Sequence, residues 1–176
     1  DSMRRRPPQT PDELALVALD FRRAVERAGL RRYSKLMGRF PVGCCKGASQ
    51  LLAKYLVTEL HTPLVTFVYA ERGGGGPGNP WQSHVWLSVG PHTVDITADQ
   101  YPEIDAPVLV GAGEDDWHME WPRQRRLTYG EMMRFDFWDN VRFRRMYRTV
   151  MRSMHHRPLP RLQFPLRNSG PPAEFA

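Results

Sequence analysis

The hydrophobic period of this chain changes near residue 62, and that change limits the folds open to it. Before it, apolar residues recur at three- and four-residue spacing; after it, they alternate or cluster in short β-branched runs. "TPDELALVALDFRRAVERAG" (10–29) reads as a helix with both ends written in the sequence. Thr10 is the N-cap, Pro11 opens the first turn, Glu13 completes a capping box and Gly29 is the stop. Leu14, Val17, Ala18, Phe21 and Val25 form its inward stripe. A polar, basic connection, "LRRYSKLMGRFPVG", holds at most a helical turn around Ser34 to Met37. A second helix starts at or just before Cys45 and runs to about Leu60, with Leu51, Leu52, Tyr55 and Leu56 facing inward.

Beyond the change, "PLVTFVYAE", "SHVWLSVG" and "HTVDITA" read as three strands, the last two joined by a turn at Gly90 and Pro91. Helices followed by neighbouring strands predict an α+β fold with an antiparallel sheet. The intervening "RGGGGPGNPWQ" is a loop and not a phosphate-binding one, because no Gly-Lys-Ser/Thr closes it. Residues 100–120 read as irregular apart from "PVLVG". A helical pattern returns from about Thr128 to Met154, broken near Asp139 and Asn140. Val141, Met146, Tyr147, Val150 and Met154 share one face of it, and Arg142, Arg145, Arg148 and Arg152 form a solvated face.

At 176 residues the chain has room for one domain. Its expected bounds are a basic, Pro-containing tail at 1–9, a single domain at 10–156 and a Pro-rich tail at 157–176. The net charge is +6, and all basic residues except Lys35, Lys46 and Lys54 are arginines. Such a balance favours anionic surroundings, yet no zinc-knuckle, RRM or KH pattern and no aromatic interleaving marks a nucleic-acid binder. No apolar run approaches the roughly 18 residues that span a bilayer, and no secretory segment opens the chain, so no membrane association and a cytoplasmic location are expected. The two cysteines are adjacent, which excludes a disulfide framework.

That adjacent pair falls where a loop gives way to a helix. A helix N-terminus favours negative charge, so it favours the thiolate, the reactive form of cysteine. A nucleophilic thiolate needs a base, and the base needs an orienting group. His84 opens one strand and Asp95 lies on the next. With Gly90 and Pro91 at the centre of a two-residue turn, residues whose numbers sum to 181 oppose one another. Asp95 then opposes Trp86 and sits diagonally from His84, on the same face as Thr97.

The stretch "GCCKGASQLLAKYL…SHVWLSVGPHTVDITADQY" resembles the core of the transglutaminase-like superfamily, within the papain-like cysteine enzymes. Cys45, Leu51, Leu52, His84, Trp86, Asp95 and Thr97 stand in that pattern's order, over roughly residues 40 to 100. The resemblance implies a papain-like fold in which the nucleophile's helix packs on an antiparallel sheet. It implies Cys45 as nucleophile, His84 as general base then acid, and Asp95 as the orienting carboxylate. It also implies a thioacyl intermediate formed from an amide or thioester. The reaction is then that of a thiol hydrolase, a peptidase, amidase or deamidase, or alternatively of an amide-forming acyltransferase in biosynthesis. A third reading is a basic binding protein that keeps the fold without catalysis. The substrate is an amide- or acyl-bearing peptide, protein or carrier-bound group, and no cofactor or metal is required. Papain-type proteases carry a Gln before the cysteine that donates to the oxyanion hole, whereas residues 37–43 here are "MGRFPVG"; Tyr33 and Gln50 are candidates for that donor.

Around these three, Cys44 is expected to pack beneath the loop and Trp86 to lie in the core. Asp99 and Gln100 are candidates for lining the cleft. His118, with Asp115 and Asp116 in "DDWHMEW", is a rim or metal-ligand candidate read as part of a solvated loop. The remaining histidines show no ligand spacing for zinc. The glycine-rich loop entering the His84 strand is a candidate lid.

Overall fold

The computed structural model describes residues 6–74, 78, 80–113, 115–134 and 140–155. Residues 1–5 of the basic tail, Gly75 to Pro77 and Asn79 of the glycine-rich loop, the expected helix break at Asp139 and the tail at 157–176 lie outside the described residues.

Helix α1 (Pro11–Arg27) forms as its caps direct. Thr10 Oγ1 accepts from Glu13 N (3.2 Å), and Glu13 accepts from Gln9 N (2.7 Å) and pairs with Arg6 (2.6 Å). Gly29 turns the chain away at φ +59°, a left-handed conformation in which a Cβ is costly. Leu14, Ala18, Phe21 and Val25 are buried and Val17 is partly so. Each fully buried side chain of this size contributes about 1.5–3 kcal/mol. The connection holds two 3₁₀ turns, Leu30–Arg32 and Met37–Arg39, with Ser34 Oγ accepting from Met37 N (3.3 Å) between them.

Helix α2 (Cys45–Thr58) is buried from Gly47 to Ala53 and again at Tyr55 and Leu56. A helix apolar nearly all round belongs inside a core, and here the sheet covers one side of it. The sheet has five strands: β1 (Val65–Arg72), β2 (Gln82–Val89), β3 (His92–Asp95), β4 (Leu109–Ala112) and β5 (Arg123–Thr128). Their spatial order is β4-β3-β2-β1-β5, and every neighbouring pair is antiparallel. Across the Gly90 turn Leu87 opposes Val94, Ser88 opposes Thr93 and Val89 opposes His92, the register expected from the sequence. The α+β class and antiparallel sheet are as predicted. Strands β4 and β5 were not foreseen, and neither was helix α3 (Asp116–Met119) inside the stretch read as irregular.

The C-terminal helical pattern resolves into α4 (Tyr129–Arg134) and α5 (Asn140–His155). Met146, Tyr147 and Val150 of α5 are buried as expected, but Val141 is 42 % exposed and Phe143 takes the inward place instead. Arg142, Arg145, Arg148 and Arg152 all face solvent. Because side chains alternate along a strand, the sheet carries two cores. Phe67, Val85, Leu87, Val94 and Ile96 pack against the helices, whereas Val68, Ala70 and Trp86 join Ala98, Tyr101, Trp117 and Trp121 on the other face. Among the described residues no helix is long and apolar enough to cross a membrane.

Candidate active site

The site lies where these two cores meet. Cys45 is the first residue of α2 and is partly exposed, at the margin of the helix-side core. Cys44, at the N-cap, makes no capping hydrogen bond, so its side chain leaves the positive end of the helix dipole uncovered beside the Cys45 thiol. One turn on, Ser49 Oγ donates to Val85 O (3.1 Å), which fixes α2 against β2 directly beside His84.

His84 is fully buried, and its ring packs within 5.2–5.6 Å of Trp86, Tyr101, Trp117 and Trp121. Nε2 donates to Asp95 Oδ2 at 2.5 Å. That leaves Nδ1 as the ring nitrogen not taken by Asp95, and Cys45 interacts electrostatically with the ring. Gln100 Nε2 also lies 3.2 Å from Nδ1. Since Gln100 Oε1 accepts from Gly43 N (3.1 Å) and Nε2 donates to Thr97 O (3.0 Å), the second amide hydrogen points at His84. Gln100 therefore ties the loop before α2 to the His84 ring.

Asp95 is buried and saturated with donors. Oδ1 accepts from Thr97 N (2.8 Å) and Thr97 Oγ1 (3.1 Å), and Oδ2 accepts from both His84 and His118 Nε2 (3.3 Å). Burial acts to raise its pKa, but the charges and hydrogen bonds of His84 and His118 outweigh it and hold the carboxyl well below the usual carboxylate range. For His84, burial acts to lower the pKa. The Asp95 charge and hydrogen bond, then the electrostatic interaction with Cys45, prevail and raise it to about 9.

The two cysteines are placed differently. Cys44 is buried and donates from Sγ to Pro41 O (3.2 Å). Burial first, and then the neighbouring Cys45, push its thiol up to about 12, which leaves it protonated and unreactive near neutral pH.

Of the residues singled out in the sequence, Cys45, His84, Asp95, Thr97 and Gln100 come together, and Trp86 is fully buried against the His84 ring. Asp99 does not join them. Its carboxylate is held by Arg22 through Nη1 (2.6 Å) and Nη2 (2.7 Å), a bidentate pair that pins α1 to the segment after β3. Tyr33 and Gln50 are likewise engaged elsewhere, Tyr33 OH with Thr149 Oγ1 (3.1 Å) and Gln50 Nε2 with Met132 O (3.4 Å).

His118 overturns its reading as part of a solvated loop. It is fully buried, because Trp117 and Trp121 carry this short helix into the aromatic core and draw the imidazole in with them. A sequence signal existed: Asp115 caps the helix by accepting from His118 N (2.9 Å), and Trp117 and Trp121 flank the histidine with large apolar rings that need burial.

A separate concavity of about 420 Å³ is lined by Tyr69, Glu71, Arg123, Gln124 and Arg125, and none of Cys45, His84 and Asp95 lines it. Among the described residues, no group of three or more His, Cys, Asp or Glu is placed to hold a metal ion. Compared with family models, curated proteins and solved structures, the chain matches none.

Proposed function

We propose that this protein is a cysteine-dependent acyl-transfer enzyme of papain-like, transglutaminase-like architecture. The carrying observation is the Cys45 thiol at the uncapped start of α2, interacting electrostatically with a His84 ring that is itself hydrogen-bonded to Asp95. In this reading the Cys45 thiolate attacks an amide or thioester carbonyl, and the first-turn N–H groups of α2 face the developing oxyanion. Protonated His84 gives its proton to the leaving amine or thiol as the carbonyl bond to it breaks, leaving a thioacyl-enzyme. Water, or an acceptor amine, then attacks that thioester; His84 takes its proton, and the Cys45 thiolate leaves. Asp95 keeps the His84 ring in the tautomer that directs Nδ1 at sulfur. The partial exposure of Cys45 beside a buried base favours a substrate that brings a narrow acyl group to the sulfur from outside. Such a group belongs to a peptide, a protein or a carrier-bound acyl chain.

Intact-mass analysis after incubation with acyl donors, thioesters and glutamine amides among them, tests this reading. Wild type and Cys44→Ala are expected to gain one acyl group, and Cys45→Ala none. Adducts that persist in Cys45→Ala would remove Cys45 from the chemistry. A wild-type Cys45 that iodoacetamide fails to alkylate near neutral pH would favour a binding protein on the same fold.

A further inference from the structure

His118 is a fully buried imidazole that the proposed chemistry does not use. Its Nε2 faces Asp95 Oδ2 at 3.3 Å and its Nδ1 faces Asp115 Oδ1 at 2.8 Å. Both ring nitrogens thus meet carboxylate oxygens, so an N–H on Nε2 donates to Asp95 and one on Nδ1 to Asp115. Its ring is held between Trp86 (4.6 Å between centroids) and Trp117 (4.9 Å), and Gln124 Nε2 from β5 donates to its carbonyl (3.2 Å). The far partner, Asp115, is 40 % exposed at its side chain. A continuous hydrogen-bonded line therefore runs from solvent through Asp115, His118 and Asp95 to His84.

Asp95 Oδ2 has two in-plane lone pairs, and two histidines claim them. Thr97 holds the other oxygen through two bonds from one residue. Rotation of the carboxylate about its Cβ–Cγ bond would move Oδ2 out of line with His84, and His118 is the group placed to oppose that rotation.

We propose that His118 is a positioning residue of this site: anchored by Asp115, it holds the Asp95 carboxylate in the plane that serves His84. The inference rests on the acyl-transfer reading only for the first of its two readouts. That first readout is the rate of Cys45 alkylation by iodoacetamide near pH 6, divided by the rate near pH 9. A thiolate maintained by a protonated His84 reacts at the lower pH, whereas any accessible thiol reacts at the higher. His118→Phe, which keeps a buried ring but donates nothing, is expected to lower this ratio about tenfold. His118→Gln, whose amide N–H can replace Nε2, is expected to restore most of it. Asp115→Ala, at a half-exposed position, should produce a smaller loss in the same direction.

The second readout is the deshielded Nε2–H proton of His84 in the NMR spectrum. It should be resolved in wild type and His118→Gln and lost or shifted upfield in His118→Phe. A folded His118→Phe with an unchanged or raised alkylation ratio and an unchanged His84 proton overturns the proposal. A raised ratio alone also counts against it, since His118 would then act only as a competing positive charge on Asp95. Should wild type alkylate near pH 6 no faster than His84→Ala, the Cys45–His84 reading fails and the proton resonance alone decides the role of His118.

Discussion

Charge at His84 links the site to the stability of the fold. The protonated ring is favoured in the native state, where its pKa is about 9, over the unfolded chain, where the ordinary value is 6.5. The native state therefore binds more protons between these two values, and stability falls as pH rises through that window. The contribution is fully present below 6.5 and lost by about 9. Asp95 works in the opposite sense, its contribution present above the usual carboxylate range and lost as pH falls through its lowered folded value. Urea denaturation of wild type should show an unfolding free energy that drops by about 1 kcal/mol or more across the upper window. His84→Gln should flatten that slope, and an unchanged slope would mean that His84 is not charged in the native protein. At this scale the sequence was informative where spacing carried the geometry. Parity on two strands joined by a tight turn placed His84 and Asp95 on one face, and the observed ladder has the same register. The second histidine was hidden because an acidic pentad, "GEDDW", precedes it and reads as solvent-exposed. Its burial depends on an aromatic core assembled from β1, β2, the segment after β3 and α3, which no local window contains.

Among the elements, those whose apolar pattern matches their period were legible, and those that depend on a neighbour were not. Helix α1 announces itself through its cap and stripe, α2 through its stripe alone, and β1 to β3 through β-branched runs. Strand β5, "RQRRLT", has no alternation because almost all of it is exposed; it exists by pairing with β1 from Thr66 to Glu71. As the outermost strand beside β1 it would invite pairing with another chain, and its arginines oppose that. Arg123 lies over Trp81 (4.6 Å) and Arg125 over Tyr69 (5.8 Å), and among the described residues neither forms an ion pair. Replacing both with threonine raises β propensity and removes two like charges from the edge. Light scattering at tens of micromolar, on the order of concentrations at which exposed edges associate, should then show larger species than wild type. A strictly unchanged hydrodynamic radius would mean the edge is protected by something other than its charge.

The whole molecule is a sheet whose two faces bury different chemistry, aliphatic on the helix side and aromatic on the other, with the Cys45 thiol at the margin of the first and the His84 ring packed inside the second. Holding the faces in register is therefore also holding the site together. That task falls partly to Arg22, a buried cation that, besides Asp99, donates to Ile96 O (2.9 Å) and Pro107 O (2.6 Å) and pairs with Glu26 (2.9 Å). Nothing in the sequence set it apart from the solvated arginines, because, Glu26 aside, its partners lie 74 to 85 residues away. Those separations have a kinetic meaning. Contacts that close so long a stretch of chain form only after the intervening hairpin is built, so they belong to the last stage of folding. Stopped-flow measurement of Arg22→Leu should give a much faster unfolding rate and a folding rate close to wild type, with φ near zero, whereas a φ near one would make Arg22 part of the nucleus. In a protein built this way, α1 is the latch: how long the native state persists is decided by a helix that contributes none of Cys45, His84 and Asp95.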